Sequence, residues 1–249
     1  MSGVEDDDVC LRADSLAALR AFLAEREAAT AAAAREAEDG RARLATTEDW
    51  ELSQFWYDET TSTRLAKELL RVAEDVWQAR GREGRVNIAC LSCPSMYKAL
   101  RSGGLPEYVS AWVFEYDTRF AVFGADFVHY DYKAPLNVPA TLHHVMDVIA
   151  LDPPFLNADC LAGFTDTVHL LQRNDTPKLL LCSGAVMLPH ARRLLGLRPT
   201  REAIGHADKR LQNPFALYVN YDASPLGGID EEAEAAEAAA AASSAGCTA

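Results

Sequence analysis

The segment HHVMDVIALDPPFLNADC, residues 143–160, gives the clearest indication of the fold. Its apolar run, from Val145 to Leu151, is broken only by Asp147 and stops at a second acid, Asp152. Two prolines and an aromatic residue follow at once. A short apolar run bounded by turn residues is typical of a buried strand. The stretch therefore predicts a covered strand whose carboxyl end presents a carboxylate on a stiffened turn.

The totals favour a globular protein that lies away from membranes. The 249 residues, 49% of them hydrophobic, suffice for one sizeable core. No apolar run approaches the roughly 20 residues of a membrane helix, and the acidic start MSGVEDDDVC lacks the features of a secretory signal. Six scattered cysteines suit reduced thiols better than a disulfide framework. We expect a cytoplasmic protein without membrane contact, and a monomer.

The negative charge is concentrated at the two ends of the chain. Of the formal net charge of −13, residues 1–49 carry −6 and residues 223–249 carry −5, which leaves −2 for the middle. Binding to nucleic acid depends on lysine and arginine that neutralise phosphates. The acidity therefore weakens the case for a nucleic-acid substrate without excluding one, and we expect no nucleic-acid partner.

Composition divides the chain into three regions. Residues 1–45 predict a partly disordered helical arm, because Asp14 and Ser15 can cap a helix whose apolar stripe is thin. Residues 223–249 are rich in alanine and acids and contain no aromatic residue, so we expect a disordered tail. Residues 46–222 form the expected folded domain.

Helix and strand signals alternate within that domain. The segment TRLAKELLRVAEDVWQAR, residues 63–80, has Leu65, Leu69 and Val72 on one face and predicts an amphipathic helix. Two further helices are predicted over SMYKALRSGG and ARRLLGL. The predicted strands are RVNIACLSC, YVSAWVFEYD, FVHYDYK, MDVIALDPP, PKLLLCSGAVM and the last segment, NPFALYVNYD. This alternation predicts an α/β fold with a doubly wound, mostly parallel sheet.

Acidic residues follow three successive predicted strands. Glu115 and Asp117 follow one strand, Asp131 the next and Asp152 the one after. Because ligands of parallel sheets bind beyond the carboxyl ends of the strands, these acids should line one site. A carboxylate after the second strand is well placed to accept hydrogen bonds from ribose hydroxyls, which indicates a ligand that contains a nucleoside.

The loop after the first predicted strand argues against a phosphate-containing cofactor. Dinucleotide sites need glycines so that the backbone can approach a pyrophosphate, yet none of the 14 glycines lies between Arg85 and Arg101. S-adenosylmethionine carries no phosphate, and its sulfonium suits an edge lined by carboxylates. A cofactor without phosphate, such as S-adenosylmethionine, is therefore favoured over NAD and ATP. Cys90 and Cys93 form a C-x-x-C pair, but no second pair follows, and we predict no metal site.

The residues of the Asp-Pro-Pro-Phe turn suit the capture of an amine. Asp152 and a backbone carbonyl of Pro153 or Pro154 can accept the two N–H bonds of a neutral amine and leave its lone pair aimed at a methyl group. Phe155 can stack on a flat base or lie against an alkyl amine. The turn therefore predicts catalytic residues at positions 152–155, for a lysine or an adenine acceptor.

Six segments in order resemble one known family, the elongation factor 1-alpha lysine methyltransferases, once grouped with N6-adenine DNA methyltransferases. They are LSQFWYDETTSTRLAKEL, SCPSMY, FEYDTRF, DFVHYDY, DVIALDPPF and NPFALYVNYD. The resemblance covers roughly residues 46–222. It implies a seven-stranded class I methyltransferase sheet, S-adenosylmethionine as donor and a lysine of translation elongation factor 1-alpha as acceptor.

The resemblance also implies roles for individual residues. The implied cofactor-binding residues are Trp56, Ser92, Cys93, Pro94, Glu115, Asp117, Asp131 and Tyr132, the last two beside the adenine. Gln54, Tyr57 and Phe155 would contact the substrate, and the segment Gln54–Tyr57, with Phe55 as a core anchor, would close over cofactor and acceptor. Two alternatives stay open: an N6-adenine DNA or RNA methyltransferase, and a non-catalytic scaffold that binds through its arm and tail.

Overall fold

A computed structural model describes residues 56–207 and 214–245 of the chain. The predicted helical arm, residues 1–45, lies outside the described residues, as do Gln54 and Phe55. In the described part, no helix is both long enough and apolar enough to cross a lipid bilayer.

Helices and strands alternate as the sequence predicts. The α-helices are α1 (Glu59–Ala79), α2 (Pro94–Gly103), α3 (Ala158–Leu171), α4 (Leu188–Leu195) and α5 (Glu231–Ala245). The strands are β1 (Val86–Leu91), β2 (Val109–Glu115), β3 (Phe127–His129), β4 (Val148–Leu151), β5 (Lys178–Gly184), β6 (Arg198–Pro199) and β7 (Phe215–Val219). Short 3₁₀ helices span Thr118–Asp126, Ala140–Leu142, Ala185–Met187 and Ser224–Leu226.

The seven strands form one sheet in the order β3-β2-β1-β4-β5-β7-β6. The first five strands in this order run parallel, and β7 is antiparallel to both β5 and β6. The strand order reverses between β1 and β4, so the crossovers to either side place helices on opposite faces of the sheet. The predicted fold, a class I methyltransferase sheet of Rossmann-like design, is confirmed.

Alternate residues of the central strands feed two separate cores. In β1, Ile88 and Cys90 pack into the core beneath α1 and α2, whereas Ala89 and Leu91 pack into the core beneath α3 and α4. All four are fully buried. A strand buried on both faces needs apolar residues at every position, which explains why β4 and residues 88–91 of β1 are continuous apolar runs.

The acid that interrupts the β4 run has a structural role at the other end of the sheet. Asp147 accepts hydrogen bonds from the backbone N–H of Asn87 at 2.9 Å and from Nε of Arg173 at 2.6 Å, and it pairs with Arg80. Burial opposes ionisation of this carboxyl, but the two guanidinium groups outweigh it and lower its pKa. Asp147 thus ties the end of α1 to the starts of β1 and β4, away from the carboxyl ends of the strands.

Residues 223–245 differ from the predicted disordered tail. Ala223 and Leu226 are buried, and α5 follows them. Glu234 of α5 pairs with Arg192 and Arg198 at 2.8 and 2.9 Å, and Glu237 pairs with Arg192 at 2.7 Å. The composition is indeed too poor in apolar residues for independent folding, but these ion pairs and the high helix propensity of alanine hold the segment on the domain.

Helix α3 and strand β6 were not predicted. Asn157 caps α3 by accepting a hydrogen bond from the backbone N–H of Cys160 at 2.8 Å. Leu161, Phe164 and Val168 follow at helical spacing and are buried. This cap and periodicity were available in the sequence. Strand β6 has two residues and is too short to give a periodic signal.

Candidate functional site

The register of the sheet brings the predicted site residues to one edge. Leu91, the last residue of β1, pairs with Phe114 of β2 on one side and Leu151 of β4 on the other. The next residues are therefore neighbours across three strands: Ser92 after β1, Glu115 at the end of β2 and Asp152 after β4. The hydrogen bonds Ser92 N to Phe114 O at 2.8 Å and Asp152 N to Leu91 O at 3.0 Å continue the ladder to this edge.

Asp152 is half-buried at this edge and is bonded to a residue far away in sequence. The hydroxyl of the buried Tyr57 donates a hydrogen bond to Oδ2 of Asp152. Burial raises the pKa of Asp152 to about 7; the hydrogen bond from Tyr57 acts to lower it, and the charge of Glu115 acts to raise it. Asp152 is thus a carboxyl group that gains and loses a proton near neutral pH.

Tyr57 stays a hydrogen-bond donor throughout that range. Burial, followed by the negative charge of Asp152, raises its pKa well above the usual value for a tyrosine. A phenol with such a raised pKa keeps its proton near neutral pH. The pair therefore consists of a permanent donor and a titrating acceptor.

The loop between β6 and β7 holds Tyr57 in place. Tyr57 and His206 form an isolated antiparallel bridge, flanked by hydrogen bonds from Asp58 N to Gly205 O at 3.0 Å and from Ala207 N to Trp56 O at 2.8 Å. A Cβ at Gly205 would lie 2.1 Å from Oδ2 of Asp58, so a larger residue where the two segments cross would have to displace the Asp58 side chain. Asp58 in turn caps α1 by accepting from Thr61 N at 2.7 Å.

The loop after β1 achieves a tight turn without glycine. Ser92 has a φ of +52°, a left-handed conformation that is uncommon for residues other than glycine. Pro94 then begins α2. The Cys93 thiol is buried and directed at the backbone oxygen of Ala150 at 3.7 Å. The loop can therefore present backbone and the Ser92 side chain to a ligand, while the Cys93 side chain belongs to the core.

Glu115 and Asp117 differ in their hydrogen-bond partners. Both are buried. Asp117 accepts from the N–H and Nε of Arg119 at 2.9 and 2.7 Å and begins the following 3₁₀ helix. Oε1 of Glu115 accepts from the N–H groups of Tyr116 and Asp117 at 3.1 and 3.4 Å. Asp117 starts the following 3₁₀ helix, whereas Glu115 is the last residue of β2 and lies at the edge of the sheet itself.

The two aromatic residues predicted beside the cofactor have different neighbours. The Trp56 ring lies 4.7 Å from Nζ of Lys98 and 6.2 Å from the ring of Phe120, on the side of α2 and the 3₁₀ helix after β2. Tyr132, predicted beside the adenine, has its ring 5.9 Å from that of Phe155. Its neighbour Asp131 accepts from Lys133 N at 2.9 Å, which shapes the turn after β3.

The Asp-Pro-Pro-Phe turn presents its aromatic ring to solvent. Pro153 is buried and Pro154 is half-buried, whereas 42% of Phe155 is exposed. An exposed ring beside a half-buried carboxyl group can contact the alkyl chain of an amine whose nitrogen reaches Asp152. The geometry is compatible with the predicted role of positions 152–155.

Two residues near the site could not be recognised from the sequence. His206 packs its ring 5.4 Å from that of Tyr57, and Lys98 lies over Trp56. Burial lowers the pKa of Lys98. A histidine in a polar loop and a lysine on a helix carry no local signal of a site, because their neighbours are distant in sequence.

The residues at this edge fit S-adenosylmethionine. A ribose offers hydroxyl donors to the buried Glu115, and the Ser92 turn brings backbone close without needing room for a phosphate. The half-buried Trp56 supplies flat apolar surface for the nucleoside.

Comparisons with known proteins identify relatives of this chain. A family model described as "Probable N6-adenine methyltransferase" matches residues 48–223. EEF1A lysine methyltransferase 1 of Mus musculus is 39% identical over 236 residues, 94% of this chain and 100% of that protein. Protein-lysine N-methyltransferase M142.8 of Caenorhabditis elegans is 39% identical over 221 residues, 87% of this chain and 95% of that protein. A solved SAM dependent methyltransferase from Aquifex aeolicus aligns with 62% of this chain and 97% of that chain, at 9% identity and a TM-score of 0.38.

The family predicted from the motifs is confirmed by these matches. The family model spans well over half of the chain, and the mouse relative is matched along its whole length. The matched region contains Tyr57, Glu115 and Asp152, and the sheet order is that of a class I methyltransferase. The chain therefore belongs to the family of the EEF1A lysine methyltransferases.

Proposed function

We propose that this chain is an S-adenosylmethionine-dependent protein-lysine N-methyltransferase that acts on translation elongation factor 1-alpha. The relatives named for this activity match nearly the whole chain, at 39% identity for the mouse protein. The observation that carries the chemistry is the carboxyl group of Asp152, half-buried at the end of β4, bonded to Tyr57 and titrating near neutral pH. The cytoplasm and a monomeric state remain part of the proposal, on the composition of the chain.

The target lysine must lose a proton before it can react. With a reference pKa of about 10.4, only about one lysine side chain in a thousand is neutral near pH 7.4. Asp152, with a pKa of about 7, is largely ionised at that pH and can accept a proton or an N–H bond from the lysine. Burial of the ammonium between Asp152 and Phe155 further favours the neutral amine.

Tyr57 and the two prolines orient the acceptor. The hydroxyl of Tyr57 occupies Oδ2 of Asp152 and leaves Oδ1 for the amine. Proline carbonyls on a turn with fixed φ can accept the second N–H bond, so that the nitrogen lone pair points away from both acceptors. When bound, S-adenosylmethionine supplies an electrophilic methyl group on a sulfonium.

Separate residues would hold the cofactor. Glu115 would accept from the ribose hydroxyls, and the backbone of Ser92 to Pro94 would lie along the nucleoside. Trp56 would cover it from the α2 side, where Lys98 lies over the indole ring at 4.7 Å. In this arrangement the cofactor would lie beside Glu115 and Trp56, and the lysine would lie beside Phe155.

Adenine N6 methylation is the second candidate, favoured by the description of the family model and by the shared Asp-Pro-Pro-Phe turn. The two functions differ in whether nucleic acid is needed. The purified chain should transfer labelled methyl groups from S-adenosylmethionine to a protein of a cell lysate, and nuclease treatment should leave that label unchanged. Loss of the label on nuclease treatment would favour the adenine methyltransferase instead.

A further inference from the structure

Four large hydrophobic side chains are exposed in the described part of the chain. They are Tyr116, Leu136, Phe155 and Val186, with exposed fractions of 53%, 65%, 42% and 68%. Three of them lie within four residues of the carboxyl end of a strand: Tyr116 after β2, Phe155 after β4 and Val186 after β5. Exposed apolar side chains that gather at one edge of a sheet indicate an interaction surface more than isolated ones do.

Val186 is held outward by a rigid turn. The N–H of Ala185 donates to the carbonyl oxygen of Pro214 at 2.8 Å. The hydroxyl of the buried Tyr218 donates to the carbonyl oxygen of Gly184 at 3.0 Å. Hydrogen bonds to Pro214 and from Tyr218 therefore hold the backbone next to Val186, and the Val186 side chain is exposed in the folded domain.

Apolar residues lie between Val186 and the Asp-Pro-Pro-Phe turn. The rings of Tyr132 and Phe155 lie 5.9 Å apart. Leu156 packs directly on Gly184, where an added Cβ would lie 2.7 Å from its Cδ1. The strip is defined as Tyr132, which follows β3, Phe155 and Leu156, which follow β4, and Val186, which follows β5.

We propose that this strip binds an apolar side chain adjacent to the target lysine in the protein substrate. The proposal rests on the function proposed above, and it adds a sequence preference to it: a lysine with an apolar neighbour. Charge argues for this occupant, because the strip begins beside Asp152, whose carboxylate attracts the lysine cation. An apolar residue next to that lysine would then cover Phe155 and Val186 and remove apolar surface from water.

Leu136 offers a matched control on the same molecule. The carbonyl oxygen of its neighbour Pro135 accepts from Oγ1 of Thr167, in the third turn of α3, at 3.1 Å. Helix α3 starts near the carboxyl edge and runs back along the sheet, with a rise of about 1.5 Å per residue. Leu136 is therefore an exposed apolar residue that lies away from the edge.

The test compares Val186→Ser with Leu136→Ser on folded elongation factor 1-alpha. Since Val186 is exposed, the fold should be unaffected, and thermal unfolding checks this. We expect Val186→Ser to raise the KM for the protein substrate about tenfold, the value for loss of one buried valine, with kcat and the KM for S-adenosylmethionine within about twofold. Val186→Ile, which keeps the apolar contact, and Leu136→Ser should match the wild type.

Other outcomes overturn the proposal. An unchanged KM in Val186→Ser, or equal changes in the two serine variants, would show that the strip does not contact the substrate. A concentration-dependent dimer that Val186→Ser abolishes would assign the strip to a second copy of the chain. A wild-type protein that methylates no lysine of elongation factor 1-alpha would instead overturn the proposed function, and the strip proposal with it.

Discussion

Asp152 carries an energetic conflict that the reaction can use. Burial raises the pKa of its carboxyl group from 3.8 to about 7, so this group holds its proton more tightly than a carboxyl group in water does. Tyr57, which keeps its proton, opposes this shift by donating to Oδ2. The buried carboxyl group therefore lowers the stability of the folded state, but it can accept a proton near neutral pH. Such shifted pKa values are common at catalytic sites.

The pH dependence of transfer should report this titration. We expect kcat/KM for the protein substrate to rise with pH through about 7, as Asp152 becomes ionised. Because the hydrogen bond from Tyr57 lowers the pKa of Asp152, Tyr57→Phe should move this rise to higher pH. Tyr108→Phe removes a similar bond to Glu74 outside the site and should leave the profile unchanged. Coincident profiles for wild type and Tyr57→Phe would show that the pair does not control transfer.

The raised pKa of Asp152 also predicts how the free energy of unfolding changes with pH. The folded state holds the Asp152 proton up to a pH of about 7, whereas an unfolded aspartate releases it near its ordinary value of 3.8. The free energy of unfolding contributed by Asp152 therefore falls as the pH rises between these values and stays low above them. Asp152→Asn keeps a carbonyl acceptor for Tyr57 without the charge.

Urea unfolding measures that change. At about 1.4 kcal/mol per pKa unit, less some screening by solvent, Asp152→Asn should be more stable than the wild type by about 2–4 kcal/mol at pH 8. The difference should nearly vanish at pH 4. A variant less stable than the wild type at pH 8 would contradict the raised pKa.

At the scale of elements, close packing of α3 on the turn after β3 fixes the acceptor side. A Cβ at Gly163 would lie 2.4 Å from the backbone oxygen of Tyr132. The helix can approach this turn only because the position is glycine. Tyr132 in turn lies against Phe155 and, at a ring distance of 6.5 Å, Phe164.

Gly163→Ala should therefore destabilise the domain. We expect a loss of about 1–3 kcal/mol, because backbone rather than a flexible side chain must move. Gly103→Ala, in α2, meets no atom within 4 Å and should be neutral or slightly stabilising. Thermal and urea unfolding compare the two. Equal stability of both variants would mean that α3 is more loosely packed than the structure has it.

Elements with a strong local pattern could be predicted, and contacts distant in sequence could not. The apolar runs of β1 and β4 and the stripe of α1 gave the doubly wound fold, since burial on both faces or on one face leaves a visible period. The acids after β2 and β4 were found because parallel strands end at one edge. The bond between Tyr57 and Asp152 spans 95 residues and depends on the β6–β7 loop, which has no periodic signal.

At the scale of the whole molecule, the acidic end of the chain extends the domain. Asp230 N donates to the carbonyl oxygen of Pro199 at 2.9 Å, and Thr200 pairs with Ile229 in an isolated bridge. This segment covers the edge of the sheet at β6 before α5 begins. An edge strand that is covered in this way is protected from pairing with other chains.

Truncation separates the covered edge from the helix. A chain that ends at Asp230 loses the half-buried ion pairs of Glu234 and Glu237, worth about 0–1 kcal/mol each, and the packing of the small, partly buried Ala233. A chain that ends at Asp222 also loses the buried Ala223 and Leu226, and should be less stable by a further 2–3 kcal/mol or so. Urea unfolding in low and high salt measures both losses. A larger loss on removal of α5 alone would contradict this assignment.

The most direct test of the account is mass spectrometry of elongation factor 1-alpha incubated with S-adenosylmethionine and either wild type or Asp152→Ala. We predict a methylated lysine with the wild type and none with the variant. Because Asp152 acts mainly on the acceptor, calorimetry should find that the variant binds the cofactor with an affinity within about tenfold of the wild type. Transfer that survives in the variant, or a comparable loss of cofactor binding and transfer, would contradict it.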